Sequence, residues 1–294
     1  MKYQVVEELS IEQQDVTKCC LVLEVSRSGY YSWLNGSKSA QKRANEFLSL
    51  KVKQIWEKSR GTYGLPRICK KLKAEGIVAG KNRVQKIMKQ NNIQGVGKKK
   101  FKVMTTDSNH DLPIADRVFR SEDHSAQVTG PNQFWGGDIT YIHTDEGWLY
   151  LSIFLDLFTR VVLGHSMSET MTSGLVIDSL DMALKRQNLA TASELTAHSD
   201  RGSQYAAEVF RDKLKAHKIK ASMSRRGNCY DNAFIETFFR TLKVELVYRT
   251  KFKTRQEAKI AIFEFIEVWY NRQRLHSSLG YQAPMDYEQQ LTVA

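Results

Sequence analysis

Apolar positions along this 294-residue chain change their period near residue 130. Before that point they recur every three to four residues, the spacing of amphipathic helices. Beyond it, aromatic and β-branched runs alternate with helical stretches. Residues 11–35 read as two short helices joined by a turn, with Ser26 or Ser28 placed to cap the second. Residues 44–58 have helical periodicity, and "GTYGLP" then breaks the chain so that Pro66 can open the next helix. "PRICKKLKAEG" and "NRVQKIMKQNN" follow as a second helix–turn–helix with a basic outer face on its last helix. That shape suits DNA, but it is also a common way to fold any small helical domain.

Residues 95–130 are polar and lack periodicity, which makes them the linker. Three strands follow with short connections, at 132–143, 148–158 and 160–167, implying an antiparallel meander. A helix at 172–187, a strand at 195–200, a helix at 205–217 and a strand at 219–224 come next. A helix spanning 228–246 follows, with Asp231 as its N-cap and Phe234, Ile235, Phe238, Leu242 and Leu246 on its apolar face. This is the order of a ribonuclease-H-like α/β domain, although order alone requires only a mixed sheet flanked by helices. An amphipathic helix, "AIFEFIEVWYNRQR", lies in the tail. The predicted domains are a helical DNA-binding region at 1–95, a basic linker at 96–130, an α/β core at 131–248 and a helical extension at 249–294.

No apolar run reaches membrane-spanning length, and "MKYQVVEELS" is not a signal peptide, so the expected compartment is the cytoplasm. Cys19, Cys20, Cys69 and Cys229 have no zinc-ligand spacing and read as reduced thiols. The net charge of +12 changes the picture more, because it is clustered. From Lys81 to Lys102 there are eight Lys or Arg, among them Arg83, Lys86, Lys98, Lys99 and Lys100, and no acid. Such a run favours contact with a phosphate backbone over a merely solubilising surface.

Three acids stand out on this scheme. Asp138 lies inside the first strand, where a carboxylate is costly unless it is hydrogen-bonded or binds a cation. Asp200 ends a strand, either capping a turn before "RGSQ" or sitting where open α/β sheets place ligands. Glu236 is helical, and Asn232, Arg240 and Lys243 share its face; a solvated Glu236–Arg240 pair is the bland alternative. Together the three acids would form an oxygen-only site for a hard cation. Asp156, at the end of the second strand, reads as a turn residue or a partner for Arg160. No GxSxG elbow or Walker motif is present.

"NQFWGGDITYI", "HSDRGSQY" and "SMSRRGNCYDNAFIETFFRTLKVEL" resemble the three acidic motifs of DDE transposases, and most closely the OrfB type of the insertion sequence three family. "YGLPRICKKLKAEGI" and "YNRQRLHSSLGYQAPMDYE" look like that family's N-terminal and C-terminal segments, and the 35 residues between Asp200 and Glu236 match its spacing. The resemblance implies a ribonuclease-H-like integrase catalytic core in which Asp138, Asp200 and Glu236 hold Mg²⁺ or Mn²⁺, two ions per site. Lys243 would contact DNA near the cleaved phosphate, with Arg240 and Asn232 beside it and His198 and Gln204 as candidate substrate-orienting residues. The implied reaction is cleavage of one strand at an element's end followed by attack of its 3′ hydroxyl on other DNA. The implied partners are terminal inverted repeats, target DNA, further copies of the chain and an upstream OrfA product or OrfA–OrfB frameshift fusion. Binding without catalysis, and hydrolysis without joining, are the competing readings.

Overall fold

The computed structural model describes residues 1–36, 39–97, 113, 115, 128–189, 192, 194–224 and 233–293. The chain divides into two compact units, Met1–Gly95 and Val96–Ala294.

The first unit is helical. α1 (Lys2–Ile11), α2 (Val16–Val22) and α3 (Arg27–Leu34) close around Val6, Cys19, Cys20 and Tyr30. Asp15 caps α2 by accepting from Thr17 N at 2.7 Å, and Ser26, not Ser28, caps α3 by accepting from Gly29 N at 3.0 Å. α1 is an addition to the elements expected from sequence; Tyr3, Val6 and Leu9 form the stripe that packs it. α4 (Ala40–Lys58), α5 (Leu65–Ala74) and α6 (Lys81–Gln90) pack mutually and bury Leu48, Val52, Ile68, Leu72, Val84 and Ile87. Cys19 and Cys20 are buried free thiols and Cys69 is a partly buried one, while Cys229 lies outside the described residues.

The second unit is built on a five-stranded mixed sheet in the order β3-β2-β1-β4-β5. β1 (Phe134–Thr144), β2 (Gly147–Asp156) and β3 (Val162–Ser168) form the antiparallel meander, with Asp138 opposite Ile153. β4 (Thr196–Ser199) runs parallel to β1, and β5 (Lys220–Met223) parallel to β4. α7 (Ser173–Arg186) packs on β2 and β3. Its approach depends on Gly164, where a Cβ would collide with the Ser179 carbonyl oxygen and the Ala183 backbone.

The helix expected at 205–217 is two pieces, α8 (Ser203–Ala206) and α9 (Glu208–Ala216). Ala207 is extended between them (φ −59°, ψ 140°), and Arg211 Nε satisfies the freed Ala206 carbonyl at 3.2 Å. This break lets Tyr205 and Ala206 enter the core that contains Trp135, Phe154 and Phe210.

α10 (Ala233–Glu245) buries Ile235, Phe238 and Leu242 of the predicted apolar face and Phe239 besides, while Phe234 is half-buried and Leu246 lies just past the helix. The N-cap position Asp231 lies outside the described residues. α11 (Arg255–Glu264) runs into a π-helical turn, Phe265–Tyr270, so the tail helix starts earlier and ends sooner than its sequence pattern suggests. Asn271 ends the turn: its N–H donates to Ile266 O at 3.0 Å, and its side chain bonds both the N–H and the carbonyl of Val162. α12 (Pro284–Val293) follows. No helix among the described residues is long and apolar enough to cross a membrane.

Candidate active site

The site forms where β4 stops. β4 pairs with β1 only through Gly137, so Asp138 is the first β1 residue beyond that pairing, and Asp200 directly follows β4. The glycines before Asp138 let neighbouring elements close on β1. A Cβ at Gly136 would stand 2.5 Å from Ile235 Cδ1 of α10, and one at Gly137 would stand 2.8 Å from the Phe154 ring and 3.2 Å from that of Tyr205. Gly136 therefore admits the first turn of α10, which carries Glu236 beside Ile235.

The electrostatics are unusual for exposed acids. Burial, then the charge of Asp200, holds the Asp138 carboxyl well above the usual carboxylate range; Glu236 adds to the effect. A hydrogen bond from Ile139 N at 2.7 Å and the charge of Lys243 oppose it without offsetting it. Asp200 Oδ1 accepts from Gly202 N at 2.9 Å, so the turn-capping role expected from its sequence is present as well. Desolvation also raises the Glu236 carboxyl, although part of its side chain reaches solvent. Burial lowers the Lys243 ammonium, the charge of Asp138 pulls it back up, and its Nζ lies 5.1 Å from the centre of the Tyr141 ring. Tyr205, buried beside both aspartates, has its phenol pushed far up by desolvation and by their charge.

Asp138 and Asp200 line a cleft of about 540 Å³ together with Tyr141, Trp148, Tyr150 and Gln204. Glu236 is not part of its wall. Among the described residues no three Asp, Glu, His or Cys side chains are gathered closely enough to enclose an ion. The all-oxygen donor set nonetheless suits a hard divalent cation, and the charges of Asp200 and Glu236 add to the burial that raises the Asp138 carboxyl.

The remaining candidates separate clearly. Gln204 is on the cleft wall, its Nε2 donating to Met171 O at 3.3 Å. His198 is 1 % exposed, and both ring nitrogens are engaged, with Ser222 Oγ at 2.9 Å and Ser224 Oγ at 3.1 Å. It ties β4 to β5 and stands off the cleft wall. Asp156 is a buried turn cap that accepts from Asn132 N, Phe158 N and Thr159 N, while Arg160 stacks 3.9 Å over Phe234. Arg240 and Lys86 are exposed. Arg83 is half-buried, with Nε donating to Asn45 Oδ1 at 2.8 Å. Asn232, Lys98, Lys99 and Lys100 lie outside the described residues. Sequence reasoning misses Tyr205 and the aromatic wall; the alternation of Tyr141 and His143 with Trp148 and Tyr150 across the "TDEG" turn is the signal that points to the wall.

Comparison with known proteins agrees with this architecture. Residues 128–229 and 217–284 each match an integrase core domain, and residues 42–101 match an HTH-like domain. The Insertion element IS600 uncharacterized 31 kDa protein of Shigella sonnei is 42% identical over 270 residues, 92% of this chain and 97% of that protein. Transposase InsF for insertion sequence IS3A of Escherichia coli (strain K12) is 36% identical over 290 residues, 98% of each. Among solved structures, a chain of the simian T-cell lymphotropic virus intasome superposes with a TM-score of 0.45 at 16% identity, covering 81% of this chain and 73% of its own. The second unit's mixed sheet, the integrase core matches and full-length similarity to InsF place this chain in the insertion sequence three family of transposases, which are DDE-type polynucleotidyl transferases.

Proposed function

We propose that Asp138, Asp200 and Glu236 are the catalytic, metal-ligating carboxylates of this transferase, binding Mg²⁺ or Mn²⁺ with two ions per site. The observation that carries the reading is the Asp138 carboxyl, buried and raised by the charges of the other two acids. Like charges contributed by three separate elements would be drawn together and stabilised by a cation held between them. A bound pair of divalent cations supplies the charge that makes a hydroxyl nucleophilic and offsets the charge on a departing 3′ oxygen.

In this reading the chain's own residues orient the DNA around those acids. Lys243, half-buried on α10 and electrostatically linked to Asp138, meets the phosphate next to the cut; Arg240 and Asn232 hold the flanking backbone. Gln204 orients substrate from the cleft wall, whereas His198 fixes the β4–β5 pairing beneath Asp200. The first reaction breaks the bond between phosphorus and the 3′ oxygen, with water as nucleophile. In the second the freed 3′ hydroxyl attacks a target phosphodiester, so that its oxygen bonds to that phosphorus while the target strand's own 3′ oxygen leaves as a hydroxyl. Arg83, Lys86 and Lys98–Lys100 add sequence-independent affinity. The chain acts in the cytoplasm as a homo-oligomer on terminal inverted repeats and target DNA, with the upstream OrfA product or its frameshift fusion as partner.

Glu236→Gln tests the carboxylate assignment on labelled element ends with Mn²⁺ or Mg²⁺. The expected result is loss of both nicking and joining, with DNA affinity within about twofold of wild type. Mn²⁺ should also raise the unfolding temperature of the wild type more than that of the variant, because a ligand bound only by the folded chain stabilises it. Equal loss of affinity and cleavage, with an unchanged Mn²⁺ response, would overturn the assignment. Neutralising Lys98, Lys99 and Lys100 should flatten the salt dependence of affinity by about 0.9 in logarithmic slope for each phosphate no longer neutralised. An unchanged slope would make that run ordinary solvated surface.

A further inference from the structure

We propose that the aromatic wall of the cleft, formed by Tyr141, Trp148 and Tyr150, is a binding site for an unpaired nucleobase next to the reacting phosphodiester. The inference rests on the strand-transfer reading of Asp138 and Asp200 and adds the state of the DNA that enters.

The argument begins with register. Beyond Gly137 the β1–β2 hairpin extends past the end of β4, so among the described residues β1 has no strand partner on that side from Asp138 onward. Tyr141 faces Tyr150 and His143 faces Trp148 across the hairpin, and side chains two residues apart share a face. One face of this extension therefore carries three aromatic rings and an imidazole, where a solvated hairpin ordinarily carries polar side chains. Trp148 remains 46 % exposed, so the cluster is not a completed core.

Ring geometry narrows the occupant. Tyr141 and Trp148 meet at 90° with centroids 5.0 Å apart, and His143 and Trp148 meet at 84° and 5.2 Å. These rings therefore meet edge to face rather than stacked, and the exposed Trp148 is the one to which a further planar ring has access. The same cleft contains Asp138 and Asp200, whose charge disfavours an anionic group on the apolar wall. Lys243, its Nζ close to the Tyr141 ring, is the nearby partner for a phosphate. A flat, neutral ring joined to a phosphate is a nucleotide, and a base exposes its face only when it is unpaired and unstacked. The cleft volume falls within the usual range for an organic ligand.

The test measures the affinity of the full chain for forked DNA ends, comparing wild type, Trp148→Ala and Trp148→Phe. Abasic residues are placed at successive positions along the end. Loss of one base–aromatic stack should weaken binding by about tenfold to a hundredfold in Trp148→Ala. Trp148→Phe, which keeps a ring, should retain most of the affinity. At one abasic position the difference between wild type and Trp148→Ala should vanish, because no base remains to stack. An alanine variant that had merely lost structure would keep its deficit on every abasic end. 5-Iodouracil at that same position should photocrosslink to the 141–150 hairpin in wild type. A Trp148→Ala deficit that no abasic position removes, or the absence of any deficit, would overturn the proposal. Neither readout requires cleavage, so failure of the metal-ligand assignment would be seen separately, in the Glu236→Gln experiment.

Discussion

Glu245, the last residue of α10, carries a buried ion pair whose disruption should be costly. Arg274 Nε lies 3.0 Å from both Glu245 carboxylate oxygens, and Nη2 donates to Oε1 at 2.8 Å. Trp269 Nε1 donates to Oε2 at 3.1 Å, and each charged side chain is only 7% exposed. Arg274→Met removes the cation and leaves a desolvated carboxylate whose neutral donor is the Trp269 indole. Breaking one partner of such a pair costs about 3–5 kcal/mol. At about 2–4 °C per kcal/mol for a unit of this size, the melting temperature should fall by about 6–20 °C. Glu245→Gln/Arg274→Met replaces the stranded charge by an amide whose oxygen can still accept from Trp269. The double variant should therefore recover roughly 2 kcal/mol of the single variant's loss, since the largest cost is the unpaired buried charge. Urea denaturation of wild type, both singles and the double gives the coupling directly. A single Arg274→Met variant within about 1 kcal/mol of wild type, or strictly additive losses, would refute the reasoning.

Two further outcomes follow from the packing around the core. Gly136→Ala places a Cβ against Ile235 and Leu157, so it should destabilise the chain by about 1–3 kcal/mol and slow cleavage more than it weakens DNA binding; Ile235→Val in the same chain should restore part of the rate, and no recovery would mean that α10 is not what Gly136 accommodates. Burial raises the Glu267 carboxyl, but hydrogen bonds from His165 and Arg186 and their charges outweigh it and leave the group below 4.5. Because the folded value is depressed, this stabilisation is present above about pH 4.5 and is lost as pH falls through the folded value. Wild type should thus lose stability in acid more steeply than Glu267→Gln; parallel pH profiles from urea melts would contradict the linkage.

The succession of strands and helices along the chain, and the placing of Asp138 within a strand, Asp200 at a strand's end and Glu236 on a helix, are legible in the sequence because they depend on local periods and on a few turn residues. Alternation in "NQFWGGDITYIH" and the continuous apolar run "WLYLSIFLDLF" specify strands within a residue or two of their observed limits. What periodicity cannot show is which face of an element meets another. Tyr205 has the pattern of one position in a regular helix, yet the extended backbone at Ala207 turns it into the core beside the two aspartates. Glu245 falls on the apolar face of α10, seven residues after Phe238 and three after Leu242, and only the return of the chain to Arg274 shows what partners a carboxylate there.

The same limit applies to Gly136–Gly137, a pair that weakens a strand and permits close backbone approach without telling which residue approaches. A missing side chain carries no period, so its meaning lies in what fills the space. At Gly136 that occupant is Ile235, 99 positions later and adjacent to Glu236. The third acid is therefore brought toward β1 by a small residue on the strand and an apolar residue on the helix. Its placement is also steadied further along α10, where Phe238 meets Tyr270 at 87° with ring centroids 4.8 Å apart and, at the helix's end, Glu245 pairs with Arg274. The acids can be found from their motifs, whereas the packing that brings them together is long-range and becomes visible only when the tail is folded against α10.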